Sequence, residues 1–222
     1  FRTRKFIIMQ NEKVIILDFG SQYTQLIARR VRELNIYSEI YPFNKKFYID
    51  NSVKAIILSG SPYSVRDDDS PAPIFDCLSL DIPVLAICYG AQYLVHSNKG
   101  IVSLSKIREY GRANLSSFNT SSLLLKNVSI NSQVWMSHGD TITELPDQFE
   151  LLASTKEVEI AAYKVKKKDV YGLQFHPEVY HSKDGKKLMS NFLLDICKYN
   201  QDWTPDSFVE RTISNLKNKI GN

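Results

Sequence analysis

Three short, almost uninterrupted apolar runs constrain the fold of this chain more than any other feature. They are Lys13–Asp18 (KVIILD), residues 55–58 (AIIL) and residues 83–87 (PVLAI). Runs of this length are typical of strands buried on both faces of a parallel sheet. Residues 22–34 and 89–96, which follow two of the runs, carry apolar side chains at helical spacing. The alternation predicts an α/β fold: a Rossmann-like, mostly parallel sheet flanked by helices.

The rest of the chain adds smaller elements to this plan. Residues 37–41 alternate like a strand, 74–80 resemble a short helix, and 100–125 suggest a small antiparallel sheet or an edge extension. Residues 159–165 and 170–174 predict a hairpin with a lysine-rich tip, and 184–199 predict an amphipathic helix. We therefore predict a core domain over 13–200, after a non-native or disordered extension at 1–12.

Residues 201–222 predict a separate linker helix. Thr204, Pro205 and Asp206 form a helix-start pattern. Val209, Ile213, Leu216 and Ile220 then recur at helical spacing. We expect this apolar stripe to lack a partner within residues 13–199. No glycine-rich phosphate loop follows residue 200, so we expect an excised domain or one subunit of a two-chain enzyme.

Composition excludes several classes of function. The 222 residues carry a net charge of +4, but the basic residues are scattered, which argues against a nucleic-acid partner. The three cysteines match neither a disulfide framework nor a zinc site, so we expect a reducing, cytoplasmic location and no metal. No apolar run approaches the roughly 20 residues of a membrane span, so no membrane partner is expected.

Cys88 stands where a buried strand passes directly into a helix. Ligand and catalytic sites of parallel sheets form at the carboxyl ends of strands, and a sharp strand-to-helix turn exposes a nucleophile above the sheet. The helix N-terminus favours the thiolate, and the following N–H, that of Tyr89, can stabilise an oxyanion. Position alone leaves a second interpretation open, because cysteine is often only a small core residue.

A thiol nucleophile needs a base and a group that orients the base. Of the four histidines, His176 lies just past the last buried run, in Gln-Phe-His-Pro-Glu. Pro177 keeps the chain extended there, so the side chains of His176 and Glu178 point the same way. A carboxylate beside the imidazole favours its protonated form and fixes its tautomer. The sequence therefore predicts a triad of Cys88, His176 and Glu178.

These residues carry a family resemblance. Cys88-Tyr89-Gly90 with Gln92, followed later by His176-Pro177-Glu178, resembles the class I, or triad, glutamine amidotransferases. Three further stretches, at 17–33, 135–140 (WMSHGD) and 203–204, are similar to the GMP synthase group of that family. The resemblance extends over residues 13–222, and it implies the Rossmann-like fold together with a smaller added sheet.

The resemblance also implies roles for individual residues. Cys88 would attack the glutamine amide, His176 would move protons and Glu178 would orient it. Backbone N–H groups of Ser61 and Tyr89 would hold the oxyanion. The substrate would be bound by Gly60 and Gln92 and by a loop that contains Ser137, His138, Gly139 and Asp140, with His138 contributing its backbone.

Partners follow from the same resemblance. L-glutamine would be the substrate, and the ammonia would pass to an ATP pyrophosphatase domain or subunit that aminates XMP to GMP. No cofactor is expected for this domain, whereas ATP and Mg²⁺ would serve the synthetase half. Three alternatives stay open: the glutaminase of another triad amidotransferase, a γ-glutamyl hydrolase-like enzyme, and a non-catalytic relative that keeps the fold.

Two positions depart from the family pattern. Ser61 stands where a second glycine is usual, and it would be strained if its φ angle were positive. Ala86 stands where the nucleophile turn commonly begins with glycine, which adds a methyl group at a close helix–strand contact. Neither change removes a catalytic group.

Overall fold

A computed structural model describes residues 12–220, and across them nine strands form one continuous sheet. The strands are β1 (Lys13–Asp18), β2 (Tyr37–Pro42), β3 (Val53–Leu58), β4 (Val84–Ile87), β5 (Ile101–Phe118), β6 (Gln133–Glu144), β7 (Phe149–Thr155), β8 (Ala162–Val165) and β9 (Val170–Leu173). Their order is β2-β1-β3-β4-β9-β8-β7-β5-β6. The first five are parallel and the pairs from β9 onwards are antiparallel. The predicted α/β class is confirmed, and the added antiparallel part extends the same sheet.

The sheet separates two apolar cores. Val14 and Ile16 of β1 face one core, while Ile15 and Leu17 face the other. All four side chains are fully buried. This explains why the strand has no polar alternation: helices or loops cover both of its faces.

Four helices occur in the described range: α1 (Thr24–Arg32), α2 (Tyr89–Ser97), α3 (Gly185–Ser190) and α4 (Pro205–Ile220). Helix α3 continues into a π-helical turn at Asn191–Ile196, so the single helix predicted over 184–199 is corrected. Leu188 and Met189 of α3 and Phe192 and Leu193 of the π-helical turn are all buried in the same core. The helix predicted at 74–80 is only a 3₁₀ turn at Cys77–Ser79, capped by the Asp76 side chain.

Strand β5 is the largest departure from the sequence prediction. Residues 100–125 were expected to form short segments, but Ile101–Phe118 is one 18-residue strand. Its first part pairs with β6 and its last part with β7. Register shifts and Gly111, with φ of 123°, interrupt the regular alternation that a sequence pattern would reveal.

The C-terminal segment is attached to the α1–β2 connection and to β2 just before α4 and within its first turn. The N–H of Trp203 donates to the Asn35 carbonyl over 3.0 Å, and Phe208 stacks on Tyr37 at 5.2 Å between centroids. Beyond that point the predicted stripe is 47–80% exposed, at Val209, Ile213, Leu216 and Ile220. The stripe therefore has no cover among the described residues.

At the other end, residues 1–11 of the predicted extension lie outside the described residues. Glu12, which was also assigned to it, forms an ion pair with Lys54 of β3. None of the described helices combines the length and the apolar character that a membrane crossing requires.

Asp184, the residue before α3, links this helix to the chain at Ser129 and gives a pH-dependent prediction. Burial opposes ionisation, but bonds from Lys187 (2.8 Å) and from the Ser129 N–H (2.9 Å) lower the pKa of Asp184 to about 2. A lowered pKa stabilises the fold above the ordinary carboxyl pKa, and this contribution disappears as the pH falls towards 2. Asp184→Asn should reduce the free energy of unfolding at neutral pH by about 1–2 kcal/mol.

Urea unfolding at several pH values checks this prediction. The difference between the variant and the unmodified chain should shrink steadily below pH 4. Asp81→Asn, at an exposed position, should have no comparable effect. A difference that stayed constant down to pH 2 would contradict the assigned origin.

Candidate active site

Cys88 occupies a strained turn between β4 and α2. Its backbone has φ of 52° and ψ of −108°, a region that side-chain-bearing residues rarely adopt. The turn is held by its own N–H, which donates to the Leu173 carbonyl of β9 over 2.7 Å. Gly90 allows the helix to approach β3, because a β-carbon there would lie 2.7 Å from that of Leu58. Strand and helix thus fix the thiol above the carboxyl end of the sheet.

Ala86, the departure from glycine before this turn, fits without difficulty. It is fully buried in β4, within the core that contains Leu58 and Tyr89. The close helix–strand approach depends on Gly90 instead.

His176 and Glu178 lie beyond β9, on the chain that follows the neighbouring strand. The Nδ1 atom of His176 is 2.7 Å from Oε1 of Glu178, and both side chains are buried. The backbone N–H of His176 donates to the Trp135 carbonyl of β6 over 2.9 Å. Arg30 of α1 donates to the Glu178 carbonyl over 2.9 Å. The backbone on both sides of the pair is therefore anchored to neighbouring elements.

The electrostatics of this pair favour an imidazolium. Burial alone would lower the pKa of His176, but the Glu178 carboxylate and the Cys88 thiolate together raise that pKa well above its ordinary value. The second carboxylate oxygen of Glu178, Oε2, is buried and has no hydrogen-bond partner among the described residues. The imidazolium is thus the main compensation for a carboxylate that water does not reach.

Two of the three predicted triad residues face one cavity of about 520 Å³. Cys88 and His176 line it, and Glu178 lies behind His176. The predicted substrate and oxyanion positions also line it: Gly60, Ser61, Tyr89, Gln92, Ser137, His138, Gly139 and Asp140. The structure therefore brings the whole predicted set together, whereas the roles of its members stay predictions.

Ser61 fits the loop after β3 without left-handed strain. It is not among the residues with positive φ, so the concern raised by the missing glycine does not apply. Its hydroxyl donates to the Phe19 carbonyl over 2.8 Å and accepts from the Tyr63 N–H. Serine thus ties this loop to the end of β1, a contact that glycine could not make.

Residues 137–140 form one wall of the cavity, and their secondary structure differs from the prediction. These residues were expected in a loop, but they belong to β6, which pairs with the long β5. Gln92 of α2 donates to the Asp140 carbonyl over 2.7 Å and thereby holds the strand over the cavity. Burial lowers the pKa of His138 to about 4, so this histidine is neutral at physiological pH and offers no competing imidazolium.

Sequence reasoning missed three groups around this cavity. Tyr23 meets the His176 ring edge-on at 4.9 Å between centroids. Ser64 and Arg66 both contact the Asp140 carboxylate, and the Arg66 contact is 2.8 Å. Arg66 and Asp140 are 74 residues apart, so no local pattern could have paired them. A lone arginine in a Ser/Pro/Asp-rich loop carried no other signal.

Gly60 gives a steric prediction. A β-carbon at this position would lie 3.3 Å from Cε1 of His176, 3.3 Å from Oγ of Ser21 and 3.7 Å from the Cys88 β-carbon. Gly60→Ala should therefore displace the imidazole or fill the space in front of the thiol. We expect kcat/KM for glutamine to fall about 10- to 100-fold, with little change in the unfolding midpoint.

Steady-state kinetics together with thermal unfolding of the same sample test this. An alanine variant that unfolds at the normal temperature and keeps full activity would show that the space beside Gly60 is not needed.

Comparison with known proteins places this geometry in a family. The model of the class I glutamine amidotransferases matches residues 15–196. GMP synthase [glutamine-hydrolyzing] of Cytophaga hutchinsonii is 59% identical over 210 residues, which are 95% of this chain and 41% of the relative. The enzyme of the same name from Phocaeicola vulgatus is 55% identical over 211 residues, with the same coverage. The chain thus spans about two fifths of the length of these curated relatives.

Two solved structures resemble this fold. A candidate GMP synthase subunit from Thermoplasma acidophilum superposes with a TM-score of 0.72 at 27% identity, covering 90% of this chain and 97% of that one. A glutamine amidotransferase from Thermotoga maritima gives a TM-score of 0.70 at 16% identity, covering 85% and 99%. The second likeness is one of fold alone.

Proposed function

Because the chain belongs to the class I glutamine amidotransferase family, we propose that it hydrolyses L-glutamine and supplies the ammonia to the amination of XMP to GMP. The observation that supports the first half of this proposal is that Cys88 and His176 line one cavity, with Glu178 bonded to the far side of the imidazole. A thiol, an imidazolium and a buried carboxylate in this order are the parts of an acyl-transfer site.

In the first step, the Cys88 thiolate attacks the side-chain carbonyl carbon of glutamine. The negative charge that develops on oxygen is stabilised by backbone N–H groups of Ser61 and Tyr89. The Tyr89 N–H is free of any intrahelical partner because it belongs to the first turn of α2. His176 gives its proton to the leaving nitrogen, the C–N bond breaks, and ammonia departs from a γ-glutamyl thioester.

In the second step, water replaces ammonia in the site. His176, now neutral, takes a proton from the water as its oxygen bonds to the thioester carbon. The C–S bond then breaks, glutamate leaves, and the thiolate–imidazolium pair is restored. Glu178 holds the same imidazole nitrogen throughout and stabilises each return of the positive charge.

Two observations support the proposed recipient of the ammonia: the names of the relatives and the exposed apolar stripe of α4. The curated relatives are named GMP synthase and are a little more than twice as long as this chain. We infer that an ATP pyrophosphatase domain or subunit, which uses ATP and Mg²⁺, takes up the ammonia. The exposed stripe Val209, Ile213, Leu216 and Ile220 gives such a partner an apolar face to cover. All three cysteines are free thiols, which suits a cytoplasmic enzyme.

Covalent labelling tests the glutaminase proposal. A diazoketone analogue of L-glutamine should modify Cys88 once per chain, as intact-mass and peptide mapping would show, and glutamine should protect the thiol. Incubation with glutamine should release glutamate and ammonia in equal amounts. A thiol that reacts with iodoacetamide but ignores the analogue would indicate a non-catalytic relative. Cleavage of γ-glutamyl peptides in preference to glutamine would indicate a γ-glutamyl hydrolase.

The rate of the isolated chain gives a further prediction. Ammonia that escapes into water is protonated and lost, so an enzyme that delivers it gains from hydrolysing glutamine only when the acceptor is ready. We expect this chain alone to turn over glutamine at least about tenfold more slowly than the complete enzyme with XMP and ATP. Equal rates in a glutamate-release assay would contradict this expectation.

A further inference from the structure

Arg66 reaches into the cavity from the loop that follows β3. Its Nη2 atom donates to Oδ1 of Asp140 over 2.8 Å, and the Ser64 hydroxyl donates to the other oxygen of the same carboxylate. Ser64 is itself fixed, because its Oγ accepts from the Arg66 N–H over 3.1 Å. The guanidinium therefore has a defined position beside Asp140 of β6.

Part of the guanidinium is still open to the cavity. The Arg66 side chain is 40% exposed, whereas that of Asp140 is 8% exposed. A guanidinium has five N–H donors, and the contact with Asp140 uses one of them. Among the residues that line the cavity, Arg66 is the one Lys or Arg and Asp140 the one Asp or Glu. A permanent cation thus lines the same cavity as the thiol.

The distance along β6 suits a ligand the size of glutamine. The Ser137 carbonyl lies 3.8 Å from the Cys88 sulfur, and Asp140 is three residues farther along the strand. Three residues of strand span about 10 Å. An amino acid with its side-chain amide at Cys88 is therefore long enough to bring its α-carboxylate to Arg66.

We propose that Arg66 is a specificity-determining residue that selects substrates with a free α-carboxylate, which its guanidinium binds while Asp140 holds it in place. The proposal rests on the proposed function, since it concerns the same cavity and the same thiol. Guanidinium and carboxylate form charge-assisted, bidentate pairs with defined geometry. Substrates whose α-carboxylate is blocked should lose this contact.

The test compares two labelling reagents on three forms of the 222-residue chain. The reagents are the diazoketone analogue of glutamine and its α-amide, which lacks only the carboxylate. The forms are the unmodified chain, Arg66→Gln and Arg66→Lys. Arg29→Gln is the matched control, because Arg29 lies on α1 with a side chain that is 74% exposed. The rate constant for Cys88 labelling is read by intact mass.

We expect Arg66→Gln to slow labelling by the acid about 10- to 100-fold. The same variant should leave labelling by the α-amide unchanged, because that reagent has no carboxylate to bind. Arg66→Lys should recover part of the lost labelling rate, because lysine restores the positive charge but not the bidentate geometry of the guanidinium. Arg29→Gln should match the unmodified chain with both reagents.

Two outcomes would overturn the proposal. An equal loss with both reagents would show that Arg66 only braces Asp140 and the wall of the cavity. No loss with either would show that the guanidinium does not meet the ligand. Iodoacetamide, which has no amino-acid end, reports the thiol itself. If iodoacetamide labels Cys88 in the unmodified chain and the acid reagent does not, the glutaminase function itself is contradicted. That result differs from the two outcomes above, which contradict only the role of Arg66.

Discussion

Cys88→Ala should abolish glutamine hydrolysis, with a fall in kcat of about 10⁴-fold or more. The alanine side chain leaves the strained turn and the buried His176–Glu178 pair in place but removes the atom that forms the thioester. Because the rest of the cavity persists, glutamine should still bind. Glutamate release and isothermal titration with glutamine measure the two effects separately.

Cys77 supplies the matched control. It is also a buried thiol, but burial raises its pKa to about 12, and it lies outside the cavity. Cys77→Ala should keep its activity within about threefold, since it touches no reacting group. Residual turnover in Cys88→Ala comparable to that of Cys77→Ala would remove Cys88 from the mechanism.

Glu178→Gln should reduce kcat about 10²- to 10⁴-fold while leaving the thiol intact. In the unmodified chain, burial lowers the pKa of His176, and the Glu178 and Cys88 charges outweigh that effect. The substitution removes one of those charges and keeps the burial, so the pKa of His176 must fall. The alkaline limb of the pH–rate profile, where the imidazolium loses its proton, should move to lower pH.

Two measurements separate this effect from simple damage. A proton NMR titration of the His176 imidazole should show the lowered pKa directly, and circular dichroism should show a folded chain. Glu157→Gln, at an exposed position, should change neither the rate nor the titration. An unchanged alkaline limb in Glu178→Gln would mean that the carboxylate does not govern the protonation of His176.

The parallel half of the fold could be predicted because its signal is local. Each run such as 55–58 is apolar on both faces, and the structure places all of the predicted runs in adjacent parallel strands. The pairing of His176 with Glu178 was predicted from their spacing, and their side chains do meet, with 2.7 Å between Nδ1 and Oε1. The chain at Pro177 and Glu178 forms a turn, however, and not the extended segment that the sequence predicted. Their convergence on Cys88 follows from β4 and β9 being neighbours.

The remainder depends on contacts between distant parts of the chain. Residues 135–140 were expected to form a loop because of the family resemblance, but pairing with β5 makes them a strand. Arg66 gains its position only from Asp140, which belongs to a different part of the sheet. The π-helical turn at Asn191–Ile196 buries Phe192 and Leu193 in the core that also contains Leu188 and Met189 of α3. Interactions of this kind leave no periodic trace in the sequence.

The backbone at Cys88 has a consequence for how this site can change over time. With φ of 52° and ψ of −108°, the position would be more comfortable for glycine than for any residue with a side chain. A chain freed from the need for a nucleophile would gain stability by giving up the thiol here. Inactivated descendants should therefore drift towards glycine at this position, and they should melt at higher temperature than their active ancestor.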